Sequence, residues 1–337
     1  MRVAAFTDLT GPNGVTIVER PDPEPGPGEA VVDVEACAIN RHDLRILEGD
    51  SAMVDTDDLP FVSGLDVAGT VADVGDGVTA VEPGDRVVLC PNETCGQCRF
   101  CREGPENQCE RYSLFHGGLA EAACVRADRL LPLPESVATT TAAALPTAYM
   151  TAYRMLQRAQ AGPGDLVFVP GATGGVGVAS VQLAAVLGAR TVGTSSSAAK
   201  LDRPADLGLD HGVQGTDPDE LRESVGAVGT PDAILNHLGG PYTELGLDLV
   251  RRGGRMVICG RTAGSRSEFD VPDLFLGHRR VIGSTMGTQG DLEMLVDLVA
   301  TGDLAPEVED TYPLAATGEA FAAMQDRGAV GKPLVTN

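Results

Sequence analysis

The stretch DLVFVPGATGGVGVASVQLAAVLGARTVGTSSSAAK, residues 165–200, sets the fold of this chain. A short apolar run, LVFV, ends at Pro170 and opens into the glycine-rich turn GATGGVG (171–177). An apolar segment of helical length, VGVASVQLAAVLG, and a second strand-like run, RTVGTS (190–195), follow. Strand, turn, helix and strand in that order make a βαβ unit, whose strands must run parallel. In such a turn a glycine at 174 lets the backbone approach a pyrophosphate, and one at 177 lets the helix pack closely on the strand. The helix N-terminus then offers free N–H groups to the anion. Gly174, Gly175, Val176 and Gly177 are the candidate cofactor-binding residues of this turn. The first glycine of the usual G-x-G-x-x-G pattern is Ala172 here, so the reading rests on the order of elements, with a plain tight turn as the alternative.

The second strand bears on which nicotinamide would bind. An acidic side chain at its end holds the ribose hydroxyls of NAD and repels a 2′-phosphate. Here the strand runs into Thr194, Ser195, Ser196 and Ser197, with Lys200 and Arg203 close behind. Hydroxyls donate to a phosphate and two cations neutralise it. Lys200 and Lys332 are the only lysines in the chain, which makes Lys200 conspicuous. Ser195, Ser196, Lys200 and Arg203 predict NADPH in preference to NADH; a solvated helix start is the competing reading.

Outward from this unit the alternation continues. TAYMTAYRMLQRAQ precedes it as a helix, and DELRESVGAVG, DAILNHLG, YTELGLDLV, GRMVICG and RRVIGST follow as helix and strand in turn. Strands separated by helices predict a doubly wound parallel sheet. The first ~145 residues read differently, as short strands punctuated by Pro and Gly, for example AVVDVEACAIN and VAGTVADVG, which predicts an antiparallel, barrel-like domain. After RRVIGST the tail reads as a helix, a turn, a second helix and a last short strand. A chain of 337 residues accommodates two such domains.

Composition excludes several classes of partner. The formal net charge is −23, from 25 Lys and Arg against 48 Asp and Glu. Such a surface repels nucleic acid and anionic membranes. No apolar run approaches the ~18 residues of a membrane helix, and the start has no secretory h-region, so a cytoplasmic location is expected. The acidic excess predicts a salt-loving source.

CGQCRFCREGPENQC carries Cys95, Cys98, Cys101 and Cys109 in a C-x2-C-x2-C-x7-C spacing. Four thiolates can close a tetrahedron around Zn²⁺, and a site with four protein ligands has no open position for substrate. One structural zinc per chain is expected; disulfides compete less well in so compact a run. Cys37, Cys90, Cys124 and Cys259 lie in strand-like runs and read as small buried hydrophobes.

The four-cysteine lobe after a β-rich region, then GATGGVG, TSSSAAK, GGRMVICG, RRVIGST and the terminal GKPLV, resembles the medium-chain dehydrogenase/reductase superfamily over essentially the whole chain. The resemblance implies an α/β protein with a GroES-like β-rich substrate domain, residues 1–147 and 284–337, carrying a zinc lobe at 90–112. A doubly wound Rossmann cofactor domain would occupy 148–283. It further implies a small-molecule substrate and a homo-oligomer, dimer or tetramer.

Zinc alcohol dehydrogenases of the family hold a second, catalytic zinc. By motif, Asn40 stands in the place of its first cysteine, Leu65 of its histidine, Asp66 of the neighbouring glutamate and Thr147 of the last ligand. Leucine cannot ligate, and neutral Asn and Thr oxygens are poor zinc partners, so a catalytic zinc is not expected. The pattern is similar to the quinone oxidoreductase branch, which implies hydride transfer from NADPH to a quinone or α,β-unsaturated carbonyl. A conjugated acceptor spreads the arriving charge and needs mainly positioning and a proton; a plain ketone needs a Lewis acid. Asn40, as a hydrogen-bond donor to the substrate or nicotinamide, and His42, as a proton donor, are the catalytic candidates. Asp43 reads as structural, and His116 and His237 are less specific. The tyrosine that family members often place after the third Rossmann strand is missing from HGVQGTD, which counts against NADPH. An alcohol dehydrogenase using NAD(P), working without catalytic zinc or recruiting a metal through unusual ligands, and a non-catalytic NADPH-binding protein are the alternatives.

Overall fold

The computed structural model describes residues 1–326 and 330–337. The chain divides into two compact units, Met1–Thr147 with Thr288–Asn337, and Ala148–Gly287. Residues 284–287 cluster with the second unit, where Ser284 N–H donates to Ile258 O and Thr151 Oγ1 bonds Met286 Sδ.

In the first unit, β1 (Arg2–Phe6) and β2 (Val15–Glu19) pair as an antiparallel ribbon. β3 (Glu29–Ala38) is followed directly by the short helix α1 (Arg41–Leu47) and then by β4 (Asp66–Val74) and β5 (Arg86–Leu89). The cysteine-rich stretch lies between β6 (Asn92–Glu93) and β7 (Ser113–Leu114), which pair with each other, and contains α2 (Arg99–Glu103). β8 (Ala122–Arg126), β9 (Leu130–Pro132) and α3 (Thr139–Ala143) complete the N-terminal part. The apolar faces of these strands close on one core, with Phe6, Val32, Ile39, Leu44, Val67, Leu89, Leu119 and Phe321 among its members.

The second unit opens with α4 (Met150–Ala159) and then alternates: β10 (Leu166–Val169), α5 (Gly175–Val186), β11 (Arg190–Ser195), α6 (Asp202–Asp206), β12 (His211–Gln214), α7 (Pro218–Val228), β13 (Ala233–Asn236), α8 (Pro241–Leu249), β14 (Arg255–Ile258), α9 (Val271–Leu276) and β15 (Arg280–Gly283). Its strands are all parallel, in the order β12-β11-β10-β13-β14-β15. This is the doubly wound arrangement, and its direction of winding reverses between β10 and β13, where such sheets bind ligands at the strands' carboxyl ends. β10 and β13 are buried throughout because helices cover both faces, which explains the apolar runs LVFV and AIL. α5 is likewise apolar all round and buried over Gly177–Ala184.

The tail returns to the first unit with α10 (Gln289–Thr301), β16 (Val308–Pro313), α11 (Thr317–Gln325) and β17 (Lys332–Thr336). β17 pairs antiparallel with β3, and the sheet runs β16-β17-β3-β4-β5-β9 with β8 also on β3. The sequence reading places only a turn between the last two helices; the structure adds β16. Its run VEDTYP is polar, because an edge strand has no buried face to enforce alternation. No helix among the described residues is long and apolar enough to cross a membrane.

Candidate functional site

The glycine turn joins β10 to α5. Gly171 has φ +72°, and its N–H donates to Thr194 Oγ1 at 3.1 Å, while Ala172 N–H donates to Thr194 O at 2.8 Å. A Cβ on Gly177 would stand 2.2 Å from Gly171 O, so helix-to-strand packing alone demands glycine there. Gly174 differs: an added Cβ would meet nothing closer than Gly171 O at 3.9 Å. The protein leaves space in front of Gly174, at the start of α5, where Gly175, Val176 and Gly177 supply the unshared N–H groups of the first turn. That space and those donors fit a nicotinamide pyrophosphate. The departure at Ala172 also has its reason, since a Cβ on Gly193 of β11 would lie 2.5 Å from the Ala172 Cβ. The glycine missing from the turn is compensated across the sheet.

At the end of β11, Ser195 is buried and its Oγ accepts from Ser197 N–H at 3.3 Å. Ser196 and Arg203 are exposed, Lys200 is half-buried, and Arg203 lies on α6. His237, just past β13, is a residue the sequence left unassigned. Its Nε2 lies 3.3 Å from where a Gly171 Cβ would be, and its Nδ1 is buried without a partner among the described residues. Burial pushes its imidazole down to about 4, against the upward pull of the Leu235 and Gly171 carbonyls.

In the first unit the four sulfurs of Cys95, Cys98, Cys101 and Cys109 lie within 4.8 Å of one another, the one such metal-capable group among the described residues. Backbone N–H groups point at them: Cys95 N and Arg111 N each donate to Cys109 Sγ at 3.3 Å, and Cys98 N donates to Cys95 Sγ at 3.4 Å. Donors from Gln97 and Cys98 pull the Cys95 thiol down to about 6, while burial and the neighbouring Cys98 and Cys109 push Cys101 up to about 11. The lobe is tied down by Arg129, 4% exposed, which donates to Glu106 at 3.1 Å, to Thr94 Oγ1 and to Gln289 Oε1 at 2.7 Å. Of the other cysteines, Cys37 and Cys90 are buried, but Cys124 and Cys259 are only half-buried, and Cys90 and Cys259 follow strands rather than lie in them.

The positions Asn40, Asp66 and Thr147 do converge, around a residue the sequence reading passed over. Antiparallel pairing sets Leu334 of β17 opposite Ala38 of β3, and this register carries Lys332 to Asn40. Lys332 Nζ donates to Ile39 O at 2.9 Å, Asn40 Oδ1 at 2.5 Å and Asp66 Oδ2 at 3.2 Å. Asp66 also accepts from Asn40 Nδ2 at 3.0 Å and from Thr147 Oγ1 at 2.5 Å. Burial pushes the Asp66 carboxyl up, and Lys332, Thr147 and Asn40 pull it back. All three protons of the ammonium are used, and Leu65 beside them is fully buried. Asn40 caps α1 through a capping box with Asp43 and donates its other amide proton to Ala38 O at 3.4 Å, so its side chain is engaged within the protein. The signal available in the sequence was a lysine, in a chain with two, beside the apolar strand PLV.

Next to this cluster, His42 on α1 stacks on His116, with ring centroids 5.3 Å apart and planes at 23°. Ser63 Oγ donates to Asp43 Oδ1 at 2.5 Å and lies 3.5 Å from His116 Nδ1. The Nε2 atoms of both histidines are buried without a partner among the described residues.

A doubly wound sheet lies in sequence between the two parts of a β-rich unit that carries a four-cysteine lobe. Residues 26–135 match the alcohol dehydrogenase GroES-like domain, and residues 175–301 match the zinc-binding dehydrogenase domain. The chain belongs to the medium-chain dehydrogenase/reductase superfamily. It is 31% identical over 330 residues to an acryloyl-coenzyme A reductase of Metallosphaera sedula, covering 96% of each chain. A solved NAD-dependent alcohol dehydrogenase superposes with a TM-score of 0.91 at 33% identity, covering 100% of both chains. A 2-octenoyl-CoA carboxylase reductase solved with NADP and 2-octenoyl-CoA gives 0.90 at 28% identity, covering 99% of this chain and 87% of that one.

Proposed function

We propose that this oxidoreductase uses NADPH to reduce a quinone or an α,β-unsaturated carbonyl, with one structural zinc per chain and none at the reacting centre. The observation that carries the reading is Lys332. Its ammonium is bonded to Asn40, at one position where zinc relatives hold a ligand, and to Asp66, beside the ligand position filled by Leu65, and Asp66 in turn accepts from Thr147. The zinc reading itself is supported by the four converging sulfurs. When bound, the nicotinamide supplies the hydride. The chain holds its pyrophosphate at Gly174–Gly177, meets the 2′-phosphate with Ser195, Ser196, Lys200 and Arg203, and provides a proton from His42. An unsaturated thioester is one acceptor within this class, and the acryloyl- and octenoyl-CoA relatives favour it. The middle unit carries the cofactor and the discontinuous unit the substrate. Association into a homo-oligomer is supported by Phe275, Leu276 and Val281, exposed on α9 and the edge strand β15.

The likeness to an NAD-dependent alcohol dehydrogenase keeps alcohol oxidation as the second reading. NADPH and NADH consumption measured over quinones, unsaturated thioesters, enones and simple aldehydes, with zinc quantified, separates the two. A lower KM for NADH, or a second zinc lost together with alcohol oxidation, would overturn the proposal.

A further inference from the structure

The proton donor needs a fixed orientation, and α1 alone does not give it one. His42 sits in the first turn of a seven-residue helix, and what it lies against is the ring of His116, 74 residues further along the chain. That ring is itself held. Ser63 gives its hydroxyl proton to Asp43, so its oxygen is left to accept from His116 Nδ1–H, which fixes the tautomer. Gly64 N–H and Asn40 N–H hold the same Asp43 carboxylate at 3.0 and 2.8 Å, and Phe61 packs edge-on to His116 with centroids 5.1 Å apart. The contacts run from the backbone at Gly64 and Asn40 through Asp43 and Ser63 to the His116 ring.

We propose that His116 is the positioning residue for His42 in proton delivery. Anchored through Ser63 to Asp43, its ring is the platform against which the His42 ring stands before and after the transfer. An aromatic face under a cation attracts it, whereas a second charged imidazole would repel it. Burial keeps His116 uncharged by pulling it down to about 4; Asp43 acts upward on it and His42 downward. The step rests on the reductase reading above. With hydride supplied by bound NADPH to the β-carbon of the unsaturated acceptor, a proton held on His42 would pass to the α-carbon, its N–H bond breaking as the C–H bond forms. His42 is left neutral and regains its proton from water. His116 gains and loses nothing.

The test compares His116→Leu with His116→Phe in the full-length enzyme. The leucine removes the aromatic face and the phenylalanine keeps one. In His116→Leu, kcat with the best acceptor is expected to fall about tenfold or more while KM for that acceptor stays within about twofold, and His116→Phe is expected to recover most of kcat. The second readout needs no substrate: the ring-current displacement of the His42 ring protons by NMR is expected in the wild type and in His116→Phe and to be lost in His116→Leu. Equal loss of kcat in both variants, or an unchanged kcat in His116→Leu, would overturn the role. Should no acceptor be reduced, the reductase reading fails by itself, and an NMR displacement absent from the wild type would overturn the platform separately.

Discussion

Lys332 Nζ lies 3.2 Å from Asp66 Oδ2, with the lysine side chain 4% exposed and the aspartate fully enclosed. A buried ion pair adds little net stability, but removing one partner strands the other charge away from water. Lys332→Met is expected to destabilise the protein by about 3–5 kcal/mol in urea unfolding. Adding Asp66→Asn to that variant removes the stranded charge and should recover more than half of the loss. A single variant within about 0.5 kcal/mol of wild type would show that the pair does not hold β17 to β3 and β4.

The two glycines of the turn should fail in different ways. Gly177→Ala pushes a Cβ into the backbone at Gly171 and is expected to cost about 3 kcal/mol or more, without any ligand present. Gly174→Ala has room for its methyl and should stay within about 1 kcal/mol of wild type. Its NADPH Kd should nevertheless weaken at least tenfold, because the methyl fills the space left for the pyrophosphate. Unchanged binding by calorimetry would remove the turn from the cofactor site.

Metal analysis is expected to return one zinc per chain. Cys109→Ser should lose it and lower the melting temperature, since the lobe would then keep only protein contacts such as those of Arg129 and the β6–β7 pairing. NADPH affinity should change less than about threefold, the turn lying on the other compact unit. Two zincs per wild-type chain would contradict the closed-site reading.

Acid should weaken the fold through His237. Its folded-state pKa is about 4 against 6.5 for an ordinary imidazole. Between those values the unfolded chain binds the proton and the folded one does not, so this contribution is present above 6.5 and is lost as the pH falls. Going from pH 7 to pH 5 should remove about 2 kcal/mol on this account. The unfolding free energy of His237→Gln should therefore drop by about that much less over the same interval. Equal drops would place the imidazole in water.

With 48 acidic against 25 basic side chains, self-repulsion opposes the compact state and salt screens it. The unfolding midpoint should climb between 0.1 M and 2 M NaCl, and Kd for NADPH should not worsen as steeply as for a basic protein. Full stability in dilute buffer would remove the case for a salt-adapted surface.

The sequence by itself determined what local pattern encodes. The order of strand, glycine turn and helix defined the doubly wound unit, and four cysteines within fifteen residues defined the metal lobe, because period and spacing act over one or two elements. That Leu65 stands where the resemblance implies a ligand followed from the family pattern and not from local period or spacing. The structure alone decided what those positions do instead. Lys332 reaches Asn40 and Asp66 across 292 and 266 residues only through the pairing of β17 with β3 and of β3 with β4. His116 meets His42, and Ala172 meets Gly193, for the same reason. Sheet register and packing set such encounters, and no local run of residues records where a distant strand will lie.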